Sequence, residues 1–589
     1  MKAVVLMFDT LTRHHLSTYG GDAITPNFER LAQKTVQFNK FFVGSMPCMP
    51  ARRDMHTGRY NFLHRSWGPI EPFDFSMPEY LSKNKIHTHL VTDHKHYWRD
   101  GGATYHTRYT TFEFVRGQEG DAWKGHVEKP DVVYDAEGQE EQAVVERRKK
   151  RIAQDMINRD YMKTEVEHTL NRTIEKGLEF IRKNLEQDNW FLQLECFDPH
   201  EPFFVPEKYL QMYGCTQSDF NGWMYYNANT DSHEKQELIK KFYKALVTMC
   251  DSYLGKVLDL FDEHQLWDDT MLMVCTDHGF LLGEHDWWGK NIMPLYEEVA
   301  HTPFFYWDPR LQMQGVETDL LGQLIDVPAT LLDFFGYDLP PHMHGRPLYS
   351  ALRDKKPIRT HALFGYFGAH LNITDGQYVY MRAPKERTNS QYEYTLMPTA
   401  IDSRFKMEQL KQTTLCEGFS FTDYAPLMKI PTAVNYTNSY RFGDKLFDIE
   451  ADKMQTNPLD DSKLEVLLLT KIKQLLIDNE APSELYQRYM LDDISEQSLR
   501  REKQDYYEYQ FSSYKDYKLS HHCVAEGLEV LSHISEHPEQ DRKALMALLD
   551  SSNESVITPE QVYGFARTLY QGELLKKSIY QLNLAMRYN

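Results

Sequence analysis

The chain has 589 residues, a formal net charge of −20 and 41% hydrophobic residues. That length supplies roughly two to four domains and ample core, and no apolar run reaches the ~18 residues that a membrane-spanning helix needs. A general nucleic-acid binder would normally be basic, so net charge argues against that class; an anionic substrate would have to meet cationic groups gathered in one pocket, which suits a small anionic group better than a long polyanion.

MKAVVLMFDTLTRHHL opens on a short apolar run, residues 3–8, ended by Asp9. Without a small-residue cleavage site it reads as a first strand, not a secretory signal. TPNFERLAQKT predicts a helix with Thr25 as N-cap, Pro26 in the first helical position, and a stripe of Phe28, Leu31 and Ala32. THLVT (88–92), WFLQLECF (190–197) and MLMVCT (271–276) are further apolar runs with the length of buried parallel strands. Residues 240–264 read as a long amphipathic helix. Strands alternating with helices imply an α/β fold, a large mostly parallel sheet flanked by helices. Ligands gather at the carboxyl ends of such strands, which selects Asp9, Asp93, Asp198 and Asp277.

Residues 117–160 are charged and poorly periodic; they predict an excursion leading into a helix, more simply a solvated surface loop than a lid. Beyond about residue 355, HALFGYFGAHLNITDGQYVYMRAP predicts a hairpin turning at ITDG, and KLFDIEAD (445–452) a further strand. From about 476 the chain reads as helical and charged. It holds a capping box from Thr558 to Gln561 and a stripe of Val562, Phe565, Ala566 and Leu569. The expected organisation is a catalytic α/β domain over 1–355, a smaller α+β subdomain over 356–475 and a helical extension over 476–589.

The seven cysteines (Cys48, Cys196, Cys215, Cys250, Cys275, Cys416 and Cys523) are scattered, with no CxxC and no metal-finger spacing. A reduced, cytoplasmic setting fits this usage, and Cys196 and Cys275, inside apolar runs, read as inert core. Cys48 differs. In SMPCMPARRDMHTGRY it stands between Pro47 and Pro50, which restrict the backbone on both sides, with Arg52 one helical turn further on. A thiolate beside arginine has a lowered pKa and is a nucleophile, so a Cys–His hydrolase is one reading. Asp9, and Asp277 with His278, end two of the strands, where oxygen and imidazole ligands suit one divalent cation. Taken alone, the DHG segment is equally a strand-end turn with a solvated aspartate.

CMPAR followed by HTGRY resembles the signature of the type I sulfatases of the alkaline phosphatase superfamily. Other segments fit in chain order: Asp9, TPNFERLA, DPHEPF (198–203), TDHGFLLGEHDWWGKN, IDVPATLLDFFG (325–336), HGRPL (344–348) and LFDIEAD. The resemblance spans roughly residues 1 to 455. It implies an alkaline phosphatase-like fold and oxidation of Cys48 to formylglycine by a formylglycine-forming maturation enzyme. It also implies one divalent cation, calcium by preference, with manganese, magnesium or zinc as alternatives, held by Asp9, Asp277, His278 and the Cys48-derived oxygen. The hydrated aldehyde, a geminal diol, would attack with one hydroxyl and regenerate the aldehyde by deprotonation of the other.

In that scheme Arg52 would orient the diol; its simpler use is to bind a backbone carbonyl. Lys290 and His200 would face the sulfate oxygens, one of them protonating the leaving oxygen, against a surface lysine and a turn-capping histidine. His94 or His96 would be the base; their spacing puts both on one side only in a strand, and does not choose between them. Several positions depart from the family pattern. Thr10 follows Asp9 where a second aspartate is common, His278 stands where asparagine is common, and TDHKHYW (92–98) replaces the usual Lys-x-His. The first two resemble the phosphonate monoester hydrolase branch. The expected activity is hydrolysis of a small-molecule or oligosaccharide sulfate ester. The alternatives are a phosphonate monoester or phosphodiester hydrolase, a sulfatase-like binding protein with unmodified cysteine, and a thiol hydrolase. No nucleic-acid or membrane partner is expected, and a homo-oligomer is left open.

Overall fold

The computed structural model describes residues 1–132, 142–224, 226–229, 231–385, 391–432 and 439–513. Met1–Pro458 and Leu468–Asp492 form one compact unit; in the other, the described residues are 459–467 and 493–513, the latter holding the helix Glu496–Ser513. The capping box at Thr558 and its apolar stripe lie outside the described residues.

The four apolar runs are the centre of one sheet. β1 (Lys2–Phe8), followed by α1 (Pro26–Lys34), β2 (Val36–Phe38), β3 (Ser45–Met46), α2 (Cys48–Thr57), β4 (His87–Thr92) and β5 (Thr111–Phe114), leads into α3 (Gln142–Arg159) and α4 (Thr169–Lys183). β6 (Trp190–Cys196), α5 (His233–Glu263), β7 (Thr270–Cys275), β8 (Phe304–Trp307) and β9 (Val316–Thr318) follow. The eight-stranded order is β9-β2-β8-β7-β1-β6-β4-β5. β1 pairs in parallel with β6 and β7, and β4 with β6 and β5, whereas β8 is antiparallel to both β2 and β7. β1 is buried along its whole length. Val4, Leu6 and Phe8 pack with Phe28, Ile174 and Leu246 on one face; Ala3, Val5 and Met7 pack with Met49, Leu90 and Val327 on the other. Burial on both faces is why these strands read as continuous apolar runs instead of alternating ones.

Two helix boundaries refine the sequence expectations. α5 begins seven residues earlier than its apolar stripe, because Ser232 accepts the N–H of Lys235 at 3.3 Å and caps a polar first turn. Thr25 precedes α1, but its hydroxyl is engaged with Ser17; the first-turn N–H groups of Asn27 and Phe28 go to the Asp251 carboxylate at 2.9 and 2.8 Å.

A second sheet is built from the region beyond 355. β10 (Ala362–Tyr366), β11 (Leu371–Thr374) and β12 (Tyr378–Arg382) form two successive hairpins, the second turning at the expected place, and β13 (Lys445–Asp448) adds to β12. Its far edge is β3, which pairs in parallel with β10, Ser45 beside Gly365 and Met46 beside Tyr366. The two residues before the Pro47–Cys48 pair are therefore held by a strand more than 300 positions away.

Asp444 ties this sheet together, accepting from Arg382, from the Ala383 N–H and from Lys385, each at 2.8 Å. Burial opposes its ionisation, yet Lys385 and Arg382 hold its carboxyl well below the usual carboxylate range. Asp444→Asn is expected to destabilise the fold by about 3 kcal/mol at neutral pH, the cost of breaking a buried pair. A depressed carboxyl stabilises above its ordinary pKa of about 4 and loses that contribution as pH falls through the folded value. The gap between wild type and variant in urea denaturation should accordingly narrow on acidification.

Candidate active site

β1 and β7 are neighbours in register, so Asp9 and Asp277 emerge side by side at their carboxyl ends. Thr10 takes a left-handed backbone (φ 65°), which a β-branched residue adopts only under constraint. Its N–H bonds Asp277 Oδ1 at 3.1 Å, its hydroxyl bonds Asp9 Oδ1 at 2.7 Å, and its carbonyl accepts the Tyr243 hydroxyl at 2.7 Å. The residue that replaces the second aspartate thus aims both carboxylates.

Cys48 is the first residue of α2 and 3% exposed. Asp54 anchors its segment, accepting from the Ser45 N–H (2.6 Å), the Ser45 hydroxyl (2.7 Å) and the Asn61 side chain (2.8 Å), and Gly58 ends the helix in the left-handed region at φ 65°. The Cys48 sulfur lies 3.2 Å from His278 Nε2, 3.4 Å from Lys290 Nζ and 3.9 Å from Asp9 Oδ1. His278 Nδ1 sits 3.0 Å from the Gly279 carbonyl, which places the ring proton there and leaves the Nε2 lone pair towards Cys48. Donor atoms of Asp9, Cys48, Asp277 and His278 all lie within 4.8 Å of one another and all four residues are buried.

This donor set fits a divalent cation. Burial and the adjacent Asp9 push Asp277 up to about 7. Burial also opposes the charge on Asp9, but Arg52, His94, His200 and Lys290 hold it well below the usual range. Two buried carboxylates competing in this way are the arrangement that a cation relieves. Burial and Asp9 push the Cys48 thiol well up, Lys290 opposing them only in part, which disfavours an ordinary thiolate nucleophile.

Arg52 is 1% exposed and does not face open space. It donates from Nη2 to Asp9 Oδ2 (3.0 Å), from Nη1 to Asp277 Oδ2 (2.8 Å) and to the Cys48 carbonyl (3.0 Å), and from Nε to Glu195 Oε2 (2.9 Å). The guanidinium expected to orient a diol is committed to three carboxylates, and also makes the backbone-carbonyl contact weighed as its simpler use. Glu195 did not emerge from the sequence reading, although a glutamate inside a strand buried on both faces was a signal for it.

Lys290 is carried by a small hairpin, Leu281–Leu282 against Trp288–Gly289, and its carbonyl accepts the Tyr366 hydroxyl. Its ammonium also donates to Thr10 Oγ1 at 3.2 Å. Burial alone would lower its pKa, but Cys48, Glu201 and the two aspartates raise it, so it stays charged. His200 is buried with Nδ1 2.6 Å from the Glu201 carbonyl. His94 and His96 lie not in a strand but on the turn after β4, the 3-10 segment Lys95–Trp98. His94 Nε2 is 3.2 Å from Asp9 Oδ2, while the His96 ring lies 5.1 Å from the His94 ring, centroid to centroid, and packs edge-on to Trp67.

Two of the four selected strand-end aspartates go elsewhere. Asp93 accepts the Phe197 N–H at 2.7 Å, and Asp93 and Asp198 share the Gln118 amide at 3.3 and 3.0 Å. Residues 133–141 of the 117–160 excursion lie outside the described residues; of the rest, Glu119 and its partner Arg151 reach the His200 side and are not merely a solvated loop. Donor atoms of Glu119, His200 and Glu201 also cluster within 4.8 Å, but Glu119 is already paired with Lys95 (2.8 Å) and Arg151, so that group does not suit a cation.

A family model described as Sulfatase matches residues 2–337, more than half of the chain. The chain belongs to the sulfatase family. It is 22% identical over 399 residues to an arylsulfatase of Clostridium perfringens, covering 60% of this chain and 78% of that protein. It is 23% identical over 389 residues to the multifunctional alkaline phosphatase superfamily protein PehA of Trinickia caryophylli, covering 56% and 72%. Among solved structures, the phosphonate monoester hydrolase of Agrobacterium radiobacter superimposes with a TM-score of 0.54 at 18% identity, over 81% of this chain and 95% of that one. BT4656, solved with its substrate D-glucosamine-2-N,6-O-disulfate, does so with 0.53 at 14% identity, over 84% and 99%. These likenesses establish the alkaline phosphatase-like fold.

Proposed function

We propose that the chain hydrolyses a sulfate ester at the Cys48 site, with Cys48 converted to formylglycine and a divalent cation, calcium by preference, held by Asp9, Asp277, His278 and the residue-48 side chain. The observation that carries this reading is the meeting of Cys48 with His278, Asp9 and the Lys290 ammonium in one buried cluster. The cation supplies Lewis-acid polarisation of a sulfuryl oxygen, and formylglycine, as its hydrate, supplies two hydroxyls on one carbon, one to attack and one to release.

The chain's own residues do the rest. Arg52 and Thr10 hold both aspartates in fixed rotamers. Lys290 opposes negative charge building on the sulfuryl group. His200 donates its Nδ1 proton to the Glu201 carbonyl and is held neutral by burial, which leaves Nε2 an acceptor; the Lys290 ammonium, which stays charged, is the proton donor to the departing alcohol. His94, the nearer of the two turn histidines to Asp9, is kept neutral by burial, which pulls its pKa down to about 3; it is the candidate base, with Asp9 at 3.2 Å opposing that fall and favouring its protonated form. The sulfated saccharide bound by a structural neighbour supports a carbohydrate sulfate as substrate class. The cytoplasmic placement rests on cysteine usage alone.

A second reading, hydrolysis of a phosphonate monoester or phosphodiester, is favoured by Thr10 after Asp9 and by His278 as the last ligand. Rates on an aryl sulfate, an aryl phosphonate monoester and an aryl phosphodiester, measured beside the peptide mass around Cys48, decide between them. The sulfate ester is expected to give the largest kcat/KM, and the peptide the mass of the aldehyde, not the thiol. A preference for either phosphorus substrate by tenfold or more would overturn the first reading in favour of the second.

A further inference from the structure

We propose that Glu195 is a positioning residue that sets the cation affinity of the site through the charge it places on Arg52; this rests on the reading that Asp9, Asp277 and His278 hold a divalent cation. The Arg52 guanidinium lies against Oδ2 of both aspartates, the carboxylates that a cation must share. Its positive charge therefore works against cation binding unless it is offset. Glu195, 2% exposed, occupies the remaining edge, accepting from Nε at 2.9 Å. Three carboxylates around one guanidinium leave two negative charges in excess, where Asp9 and Asp277 alone would leave one.

The carboxylate cannot drift from this place. The Tyr97 hydroxyl lies 2.9 and 3.0 Å from its two oxygens, and Gln193 Nε2 donates to Oε1 at 3.2 Å. Glu195 sits within β6, beside Met7 of β1 and Thr92 of β4, below the strand ends that carry Asp9 and His94. It is thus one layer behind the ligands, on a strand paired on both sides. A residue in that position acts on the ion only through what it does to the ligands' partner.

Glutamine at 195 is isosteric and keeps an acceptor for Arg52 Nε, so it removes the charge at the cost of the Gln193 bond to Oε1. Ca2+ titrated into the matured, EDTA-stripped protein by calorimetry, with Mn2+ as a second probe, should bind E195Q about 10- to 100-fold more weakly than wild type. E195D, which restores the charge, should return within about threefold. In EDTA the thermal midpoint of E195Q should equal or exceed that of wild type, since a negative charge has left an anion-rich cluster. A Kd for E195Q within twofold of wild type would overturn the proposal, as would a fall in midpoint as large in EDTA as with Ca2+, the mark of a purely structural role. If E195Q fails to fold, Y97F, which loosens Glu195 without changing charge, should weaken binding about threefold, and unchanged affinity would be equally fatal. A wild type that binds neither ion sinks the cation reading itself, an outcome distinct from equal binding by both proteins.

Discussion

Cys48→Ser protein is expected to release at most one equivalent of alcohol per chain and then stop, with multiple-turnover kcat down by about 10^4-fold or more. The reason is a balance of atoms. A serine hydroxyl can attack the sulfur and expel the alcohol, but the resulting O-sulfoserine carries no second hydroxyl whose deprotonation would return the sulfate. Cys48→Ala has nothing to attack with and should show no burst. Both side chains are smaller than or similar to the thiol, and the segment is anchored by Asp54 and by β3 in the second sheet, not by residue 48. Circular dichroism and thermal midpoints should therefore stay near wild type. Sustained turnover by the serine variant would count against the two-hydroxyl cycle and in favour of simple nucleophilic hydrolysis.

Asp277→Asn should remove the cation and the activity together. The carboxylate accepts from Thr10 N–H, His278 N–H and Arg52, and its donor atom lies within 4.8 Å of three other candidate ligands. Asparagine keeps one acceptor for those bonds but not the charge. Elemental analysis after dialysis is expected to fall from about one cation per chain to under a tenth, with kcat/KM reduced by about 10^3-fold or more. Unchanged metal content in a folded variant would place the ion elsewhere. Asp93→Asn is the informative contrast, because Asp93 also ends a central strand yet bonds Phe197 and Gln118 instead; its metal content should match wild type.

That contrast shows what the sequence could and could not disclose. Apolar runs exposed β1, β4, β6 and β7 because strands buried on both faces need no polar alternation. β8, antiparallel within the same sheet, has the same texture in FFYW, but nothing local marks its direction. β3 is two residues long and exists only because β10 pairs with it, so no window of sequence contains its cause. The strand-end rule selected four aspartates, and which pair converges is decided by sheet order. Thr10 looked like a loss of a ligand; its backbone angle and two bonds show a residue aiming the ligands that remain. The nearness of Arg52 to Cys48 was legible from their spacing of four, while its carboxylate partners were not, because Glu195 lies 143 positions away.

The pairing of β3 with β10 also has a consequence in time. On the ribosome, the cysteine segment cannot be closed into the second sheet until Gly365 and Tyr366 have been synthesised and have left the exit tunnel. Until then the second sheet cannot cover the segment; in the folded chain Cys48 is 3% exposed at the head of a buried helix. If Cys48 is converted to formylglycine as proposed, that conversion has a window set by translation speed, and slowing elongation between residues 48 and 366 should raise the converted fraction.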